Sequence, residues 1–180
     1  LNRHQNHLEF LLTDLTQKNL GDINPNKIYD EKSDTYIEIN DNLTFMDDNK
    51  CFLWNSSKDG YNHLYLFDNV GKQKAQLTSG NWDVIEFLGI DEDSQRLYYC
   101  SAQKGAIHKG IYSILLDGSN KKAISSETGN NNAEFSDGMK YFVKSYSNAN
   151  TPATYTLCDN QGTELFVLED NAKLKKRLAE

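Results

Sequence analysis

"FMDDNKCFLWNSS", residues 45–57, opens on an apolar residue, passes a turn of Asp and Asn, and enters an aromatic and aliphatic run. The same pattern recurs in "IDEDSQRLYYCSA" from Ile90 and in "FSDGMKYFVKSYS" from Phe135. The starts lie 45 residues apart both times, and Phe52, Leu97 and Phe142 hold one offset within the three copies. A second half follows each: "HLYLFDNVGKQKAQLT" from His63, "GIYSILLDGSNKKAIS" from Gly110 and "ATYTLCDNQGTELFVL" from Ala153. In each, a Tyr (Tyr65, Tyr112, Tyr155) precedes an Asp-containing turn with a Gly (Gly71, Gly118, Gly162), and a polar strand ends in Leu or Ile. Asp and Asn hydrogen-bond their own backbone in such turns, and Gly takes positive φ without steric cost.

Each copy therefore reads as four short strands. A four-stranded unit of about 40 to 45 residues is the length of one β-propeller blade. A β-sandwich would also supply many short strands, but it has no reason to repeat turn and aromatic positions at a constant interval. The expected architecture is all-β: an incomplete β-propeller of about three complete four-stranded blades plus half a blade, with a short C-terminal helix. Residues 1–30 read as the outer strands of a preceding blade, with one strand in "HLEFLLTD" and another around Leu20. Blades follow at 31–80, 81–127 and 128–169. Residues 170–180 turn helical, with Asp170 or Asn171 as N-cap and Leu174 and Leu178 at i, i+4. Such an arc leaves an apolar sheet face open at each end, and open edges invite pairing with another copy. The wedges between blades should be filled by Phe45, Phe52, Trp54, Tyr65, Leu97, Tyr99, Tyr112, Phe142 and Tyr155.

Composition narrows the function classes. The 180 residues carry a formal charge of −7, with a pI near 5.1 and a mean hydropathy of −0.70. That charge excludes a polyanion-binding surface, so no nucleic-acid partner is expected. The one basic cluster, "KLKKR" at 173–177, reads as the solvated face of a helix beside Glu169, Asp170 and Glu180. No segment approaches the roughly 20 apolar residues of a membrane helix, and "LNRHQNHLEF" is polar from its second residue, unlike a signal peptide. The chain starts without Met and enters an apolar alternation at once, so it is expected to be an excised piece of a longer protein. Cys51, Cys100 and Cys158 are odd in number and far apart, which gives neither a disulfide framework nor metal spacing.

Four strings occur in one order: "NRHQNHLEF" at 2–10, "DGYNHLYLFD" at 59–68, "LTSGNWDV" at 77–84 and "LEDN" at 168–171. In combination they resemble the N-terminal β-propeller region of dipeptidyl peptidase IV-like serine peptidases of the prolyl oligopeptidase superfamily, bacterial members in particular. The resemblance implies a parent that releases N-terminal dipeptides from peptides with Pro or Ala second. It implies catalysis in a C-terminal α/β-hydrolase domain through a Ser on a G-x-S-x-G elbow, then Asp and His. The propeller would gate that site, scaffold it, and supply a Glu pair for the substrate's amino group. It also implies a periplasmic or secreted location, and as partners the missing blades and the hydrolase domain; the open edges, independently of the resemblance, put a homodimer in view.

The elbow pattern is absent here: "DGSN" and "TSGN" lack the flanking glycines. The catalytic domain would begin after the "LEDN" helix, and the Glu pair would lie upstream of Leu1. No catalytic, substrate-binding or metal residue is therefore assigned on these positions, no cofactor is expected, and the fragment should be inactive alone. The rival reading is a free-standing periplasmic propeller acting as a protein-interaction module. A propeller glycosidase or lyase would need two carboxylates facing one cleft, whereas the acidic residues here fall mostly in turns.

Other residues invite chemistry and receive structural readings. His63 is expected to pack its ring at a blade edge, and its truncation to leave the fold intact. His4 and His7, three apart, fall on opposite faces of a strand, poor geometry for one metal. "DDNK" at 47–50 and "DEDS" at 91–94 read as turns rather than calcium loops. Trp54 and Trp82 read as core packing. Asn42 and Asn55 head glycosylation patterns that carry no meaning in a bacterial source.

Overall fold

The computed structural model describes residues 1–13, 16, 24–46, 49–125 and 128–178. The strand expected around Leu20 lies outside the described residues, as do Asp47 and Asp48 of the first acidic turn. The described chain is all-β, with antiparallel strands in four sheets and one short helix. It divides into two compact units, Leu1–Gln76 and Leu77–Glu180.

In the first unit, β1 (His7–Leu12) pairs antiparallel with β2 (Asn26–Lys32) as a two-stranded sheet. A four-stranded meander follows, β3 (Thr44–Met46), β4 (Cys51–Ser56), β5 (His63–Asp68) and β6 (Gln73–Gln76). The register sets Phe52 opposite Phe67 and Trp54 opposite Tyr65, so four large rings share one face. That face packs with Ile28 and Tyr29 of β2 and with Leu8 and Phe10 of β1. The ring centroids of Phe10 and Trp54 lie 4.7 Å apart, edge to face, and those of Phe52 and Phe67 stack at 5.0 Å.

In the second unit, β7 (Val84–Asp91), β8 (Arg96–Ser101), β9 (Gly110–Leu115) and β10 (Lys122–Ala123) form one meander. Strands β11 (Asn130–Phe135), β12 (Tyr141–Asn148), β13 (Thr151–Asp159) and β14 (Glu164–Glu169) form the next. Tyr98, Cys100 and Ile111 of the first sheet share a core with Ala133, Phe142 and Cys158 of the second. Helix α1 (Ala172–Leu178) ends the described chain; Asp170 Oδ1 accepts the Ala172 N–H at 2.8 Å, while Asn171 takes positive φ. Leu174 and Leu178 of α1 are exposed.

The 45-residue period is structural. Phe45 faces Phe52, Ile90 faces Leu97 and Phe135 faces Phe142, each pair joining the first two strands of a four-stranded sheet. The turn between third and fourth strands repeats as well. Asp68 Oδ1 accepts the Lys72 N–H at 2.8 Å, and Asp159 Oδ1 accepts the Thr163 N–H at 2.8 Å. Gly71 and Gly162 both sit at positive φ, with a Cβ placed on them only 2.0 Å from the Ile28 carbonyl oxygen and 2.3 Å from that of Ile124.

Seven of the nine expected core residues are buried: Phe52, Trp54, Tyr65, Leu97, Tyr99, Tyr112 and Phe142. Phe45 is half-buried. Tyr155 departs from expectation at 41% exposure. The reason is register. Trp54 faces Tyr65 and Tyr99 faces Tyr112, but Lys144, at the same offset in the third copy, faces Thr156. Tyr155 lies one residue out of phase, opposite Ser145, and so points to the other face of its sheet. His63 is the second correction: it is fully enclosed at 0% exposure rather than set at an edge.

Candidate functional site

A polar cluster of the first unit forms where β2 meets the β4–β5 hairpin. Alternation along β2 turns Tyr29 and Glu31 to one side, and Glu31 is buried. Its carboxylate accepts the Tyr29 hydroxyl at 2.5 Å on Oε2 and the Ser56 hydroxyl at 2.8 Å on Oε1. Burial and the neighbouring Glu31 push the Tyr29 phenol far above its ordinary value. Ser56 Oγ also accepts the Lys58 N–H at 3.1 Å, tying the start of the turn to the same point. The Lys58 ammonium lies 4.0 Å from the Tyr65 ring centroid and donates to Gln73 Oε1 at 2.7 Å. Desolvation there holds the Lys58 amine below its ordinary value, against the pull of Glu31 and Asp59. Across the hairpin, Asp59 Oδ2 accepts from Gln76 Nε2 at 2.6 Å.

Ser56 thus reaches Glu31 through its hydroxyl, and Ser56 and His63 are cross-strand partners. The arrangement is not that of a nucleophile and its base. The serine proton goes to the carboxylate, and the imidazole is fully buried. What the cluster does chemically is to anchor β2 to β4, with a buried carboxylate satisfied by two hydroxyls.

A second cluster lies on β1 and β2. His7 Nε2 stands 3.3 Å from Asp30 Oδ1 and 3.9 Å from Glu9 Oε1. These three side chains have the donor set of a metal site. Lys27 already supplies the positive charge: its ammonium lies 3.1 Å from Glu9 Oε1 and is hydrogen-bonded to Asp30. That bond raises the Lys27 amine and holds the Asp30 carboxyl low. The signal for this cluster was the alternation of His7 and Glu9 on one strand face, with Asp30 opposite Glu9. It emerges only once the β1–β2 register is known. His4 sits apart, exposed in the preceding turn.

The remaining candidates resolve structurally. Asp91 of the "DEDS" turn accepts the Ser94 N–H at 3.4 Å and pairs with Lys140 at 3.2 Å, so both contacts serve the fold of the second unit. Trp82 stacks on Tyr99 at 6.4 Å with the Lys121 ammonium 5.3 Å from its ring. Cys51, Cys100 and Cys158 are free and buried, and burial pushes the Cys100 thiol up to about 12. Among the described residues, no helix is long and apolar enough to cross a membrane.

Comparison with known proteins gives these sheets a family. The crystal structure of Porphyromonas gingivalis dipeptidyl peptidase 4 superposes with a TM-score of 0.88 at 34% identity, over 99% of this chain and 25% of that one. The Aspergillus flavus protein named "Probable dipeptidyl peptidase 4" is 27% identical over 166 residues, 91% of this chain and 19% of that protein. The Phaeosphaeria nodorum "Probable dipeptidyl-aminopeptidase B" is 25% identical over 188 residues, 97% of this chain and 20% of that protein. The chain thus spans about a fifth to a quarter of the length of these relatives. The fold is that of a β-propeller region. The family described as "Dipeptidyl peptidase IV (DPP IV) N-terminal region" matches residues 1–153 of the 180, and the chain belongs to it.

Proposed function

We propose that residues 1–180 are a non-catalytic part of the propeller of a dipeptidyl peptidase IV-like serine exopeptidase. In that reading the three four-stranded sheets are blades, the two-stranded sheet is half of another, and the propeller is incomplete. The parent's remaining blades and an α/β-hydrolase domain complete it. The propeller gates and scaffolds the peptide site, and the parent works in the periplasm or outside the cell.

The observation that carries this reading is the family match over residues 1–153 combined with the polar chemistry of the first unit. Ser56, the cross-strand partner of His63, directs its hydroxyl proton into the buried Glu31 carboxylate, which suits a scaffold and not an acyl-transfer centre. The exposed outer face of the last sheet, with Tyr141, Tyr155 and Phe166, is the surface a further blade would cover.

The test uses Gly-Pro p-nitroanilide. The purified chain releases no p-nitroaniline, and mixing it with the separately expressed remainder of the parent restores release that neither part gives alone. Hydrolysis by the chain alone would defeat the reading, as would full activity of the remainder without it.

A further inference from the structure

In the second unit Lys109 lies just before β9, and its backbone is fixed at both of its polar groups. Its N–H donates to the Gly129 carbonyl at 2.8 Å. Its carbonyl accepts the Asn131 N–H at 2.9 Å and Asn131 Nδ2 at 3.0 Å. A parallel bridge between Lys109 and Asn130 thus holds the residue beside β11. Its side chain is 19% exposed and reaches two groups at once. The ammonium donates to Glu86 Oε2 on β7 at 2.6 Å and to Asn132 Oδ1 on β11 at 3.0 Å.

An amine within reach of both a carboxylate and a carboxamide supplies the parts of an acyl transfer. Lysine is a nucleophile once its proton is removed, and Glu86 stands at hydrogen-bond distance to take it. The carboxamide carbon Cγ is bonded to the same Oδ1 that the ammonium touches, so rotation of that one group presents it to Nζ. Glu86 is the cross-strand partner of Cys100, a fully buried residue of the core that the two sheets share. The group therefore sits at the margin of an apolar interior, on three segments that the sheets hold in place.

We propose that Lys109 and Asn132 join through an isopeptide bond, formed within the folded chain with Glu86 as the proton carrier. The Lys109 ammonium passes a proton to the Glu86 carboxylate, and the free amine attacks Cγ of Asn132. Glu86 returns that proton to Nδ2 as the Cγ–Nδ2 bond breaks. The new Nζ–Cγ amide keeps one proton, and the departing ammonia takes the last one away as ammonium. Nothing is oxidised or reduced, and no co-reactant is needed. Asn132 is exposed, so the leaving group passes directly to solvent. The product ties the start of β9 to β11, a covalent strap from one four-stranded sheet to the next. Like a disulfide it restricts the unfolded chain, but a reductant does not open it.

The inference goes beyond the function proposed above and does not depend on it. It is tested by mass spectrometry of the purified chain, kept folded at neutral pH, sampled over days and denatured before weighing. The intact mass should fall short of the sequence mass by one ammonia. Trypsin should no longer cut after Lys109, and a branched peptide should link the Lys109 and Asn132 segments. Asn132→Ser, which removes the acyl group, and Glu86→Gln, which removes the proton carrier, should both keep their full mass. Glu86 is 44% exposed and Asn132 is exposed, so both variants should keep the parent circular dichroism. A parent chain that holds its full mass throughout would overturn the proposal and leave the contact an ion pair. Loss of ammonia without the branched peptide, the mark of a succinimide, would overturn it as well. So would a Glu86→Gln chain that forms the branched peptide as fast as the parent.

Discussion

Trp54 lies between Phe10 and Tyr29, with ring centroids 4.7 and 6.4 Å away, and is all but closed off from water. Tyr155, a residue of similar bulk on β13, faces outward. Truncating the first removes a buried ring from its aromatic contacts and leaves their space empty, at about 3–5 kcal/mol. Truncating the second removes surface already wet, within about 0.5 kcal/mol. Thermal melts of Trp54→Ala and Tyr155→Ala should therefore separate widely, with Trp54→Ala unfolding first; coincident melts would show that the Trp54 core contributes little. A charge gives the second expectation at this scale. Burial alone would raise the Asp91 carboxyl, but hydrogen bonds from Ser94 and Lys140 outweigh it and hold the group below 3.8 in the fold. A carboxyl lowered on folding contributes stability that is complete above its unfolded value and is lost as pH falls through the folded one. Urea midpoints should drop in that acid window, and Asp91→Asn should remove part of the drop while leaving the slope above pH 5 to 6 unchanged.

Hairpin turns are the element on which the repeat depends. Gly60 and Gly71 both lie at positive φ, 99° and 88°, so alanine at either position meets the left-handed penalty of about 1–2 kcal/mol. Only Gly71 also abuts backbone: its added Cβ would meet the Ile28 carbonyl oxygen, while Gly60 faces open space. Gly71→Ala should therefore lower the urea midpoint clearly more than Gly60→Ala, and equal losses would mean that β2 yields freely. These turns are also what made the sheets readable in the sequence. Asp68 three residues before Gly71 and Asp159 three before Gly162 favour a tight turn, and the aromatic run before each alternates across its sheet. The third copy shows where that legibility stops. Tyr155 looks equivalent to Tyr65 and Tyr112 by string, but pairing sets Thr156, not Tyr155, opposite Lys144. One residue of phase is invisible until strands are paired, and it decides which face is core. The clusters around Glu31 and Asp30 were hidden for the same reason. Ser56 lies 25 positions from Glu31, and only the packing of β2 against the β4–β5 hairpin joins them.

On the scale of the whole molecule, each interior sheet face requires another sheet against it, and the last sheet has an uncovered one. On β12 and β13, Phe142, Lys144, Thr156 and Cys158 point inward and are buried. Their alternates Tyr141 and Tyr155 are exposed, and Phe166 of β14, opposite Leu157, is 64% exposed. Three aromatic rings on one side of a folded sheet form an apolar patch of a kind that single surface residues do not. A dye that reports such patches, 1-anilinonaphthalene-8-sulfonate, should fluoresce with the native chain at neutral pH, where the far-UV spectrum shows intact sheet. Replacing Tyr155 and Phe166 by Thr keeps β-propensity while removing the rings. The double variant should retain its circular dichroism and melting temperature and lose most of the dye signal. Emission that survives the substitution would place the accessible apolar surface elsewhere, and would remove the outer face of the last sheet as the surface awaiting a further blade.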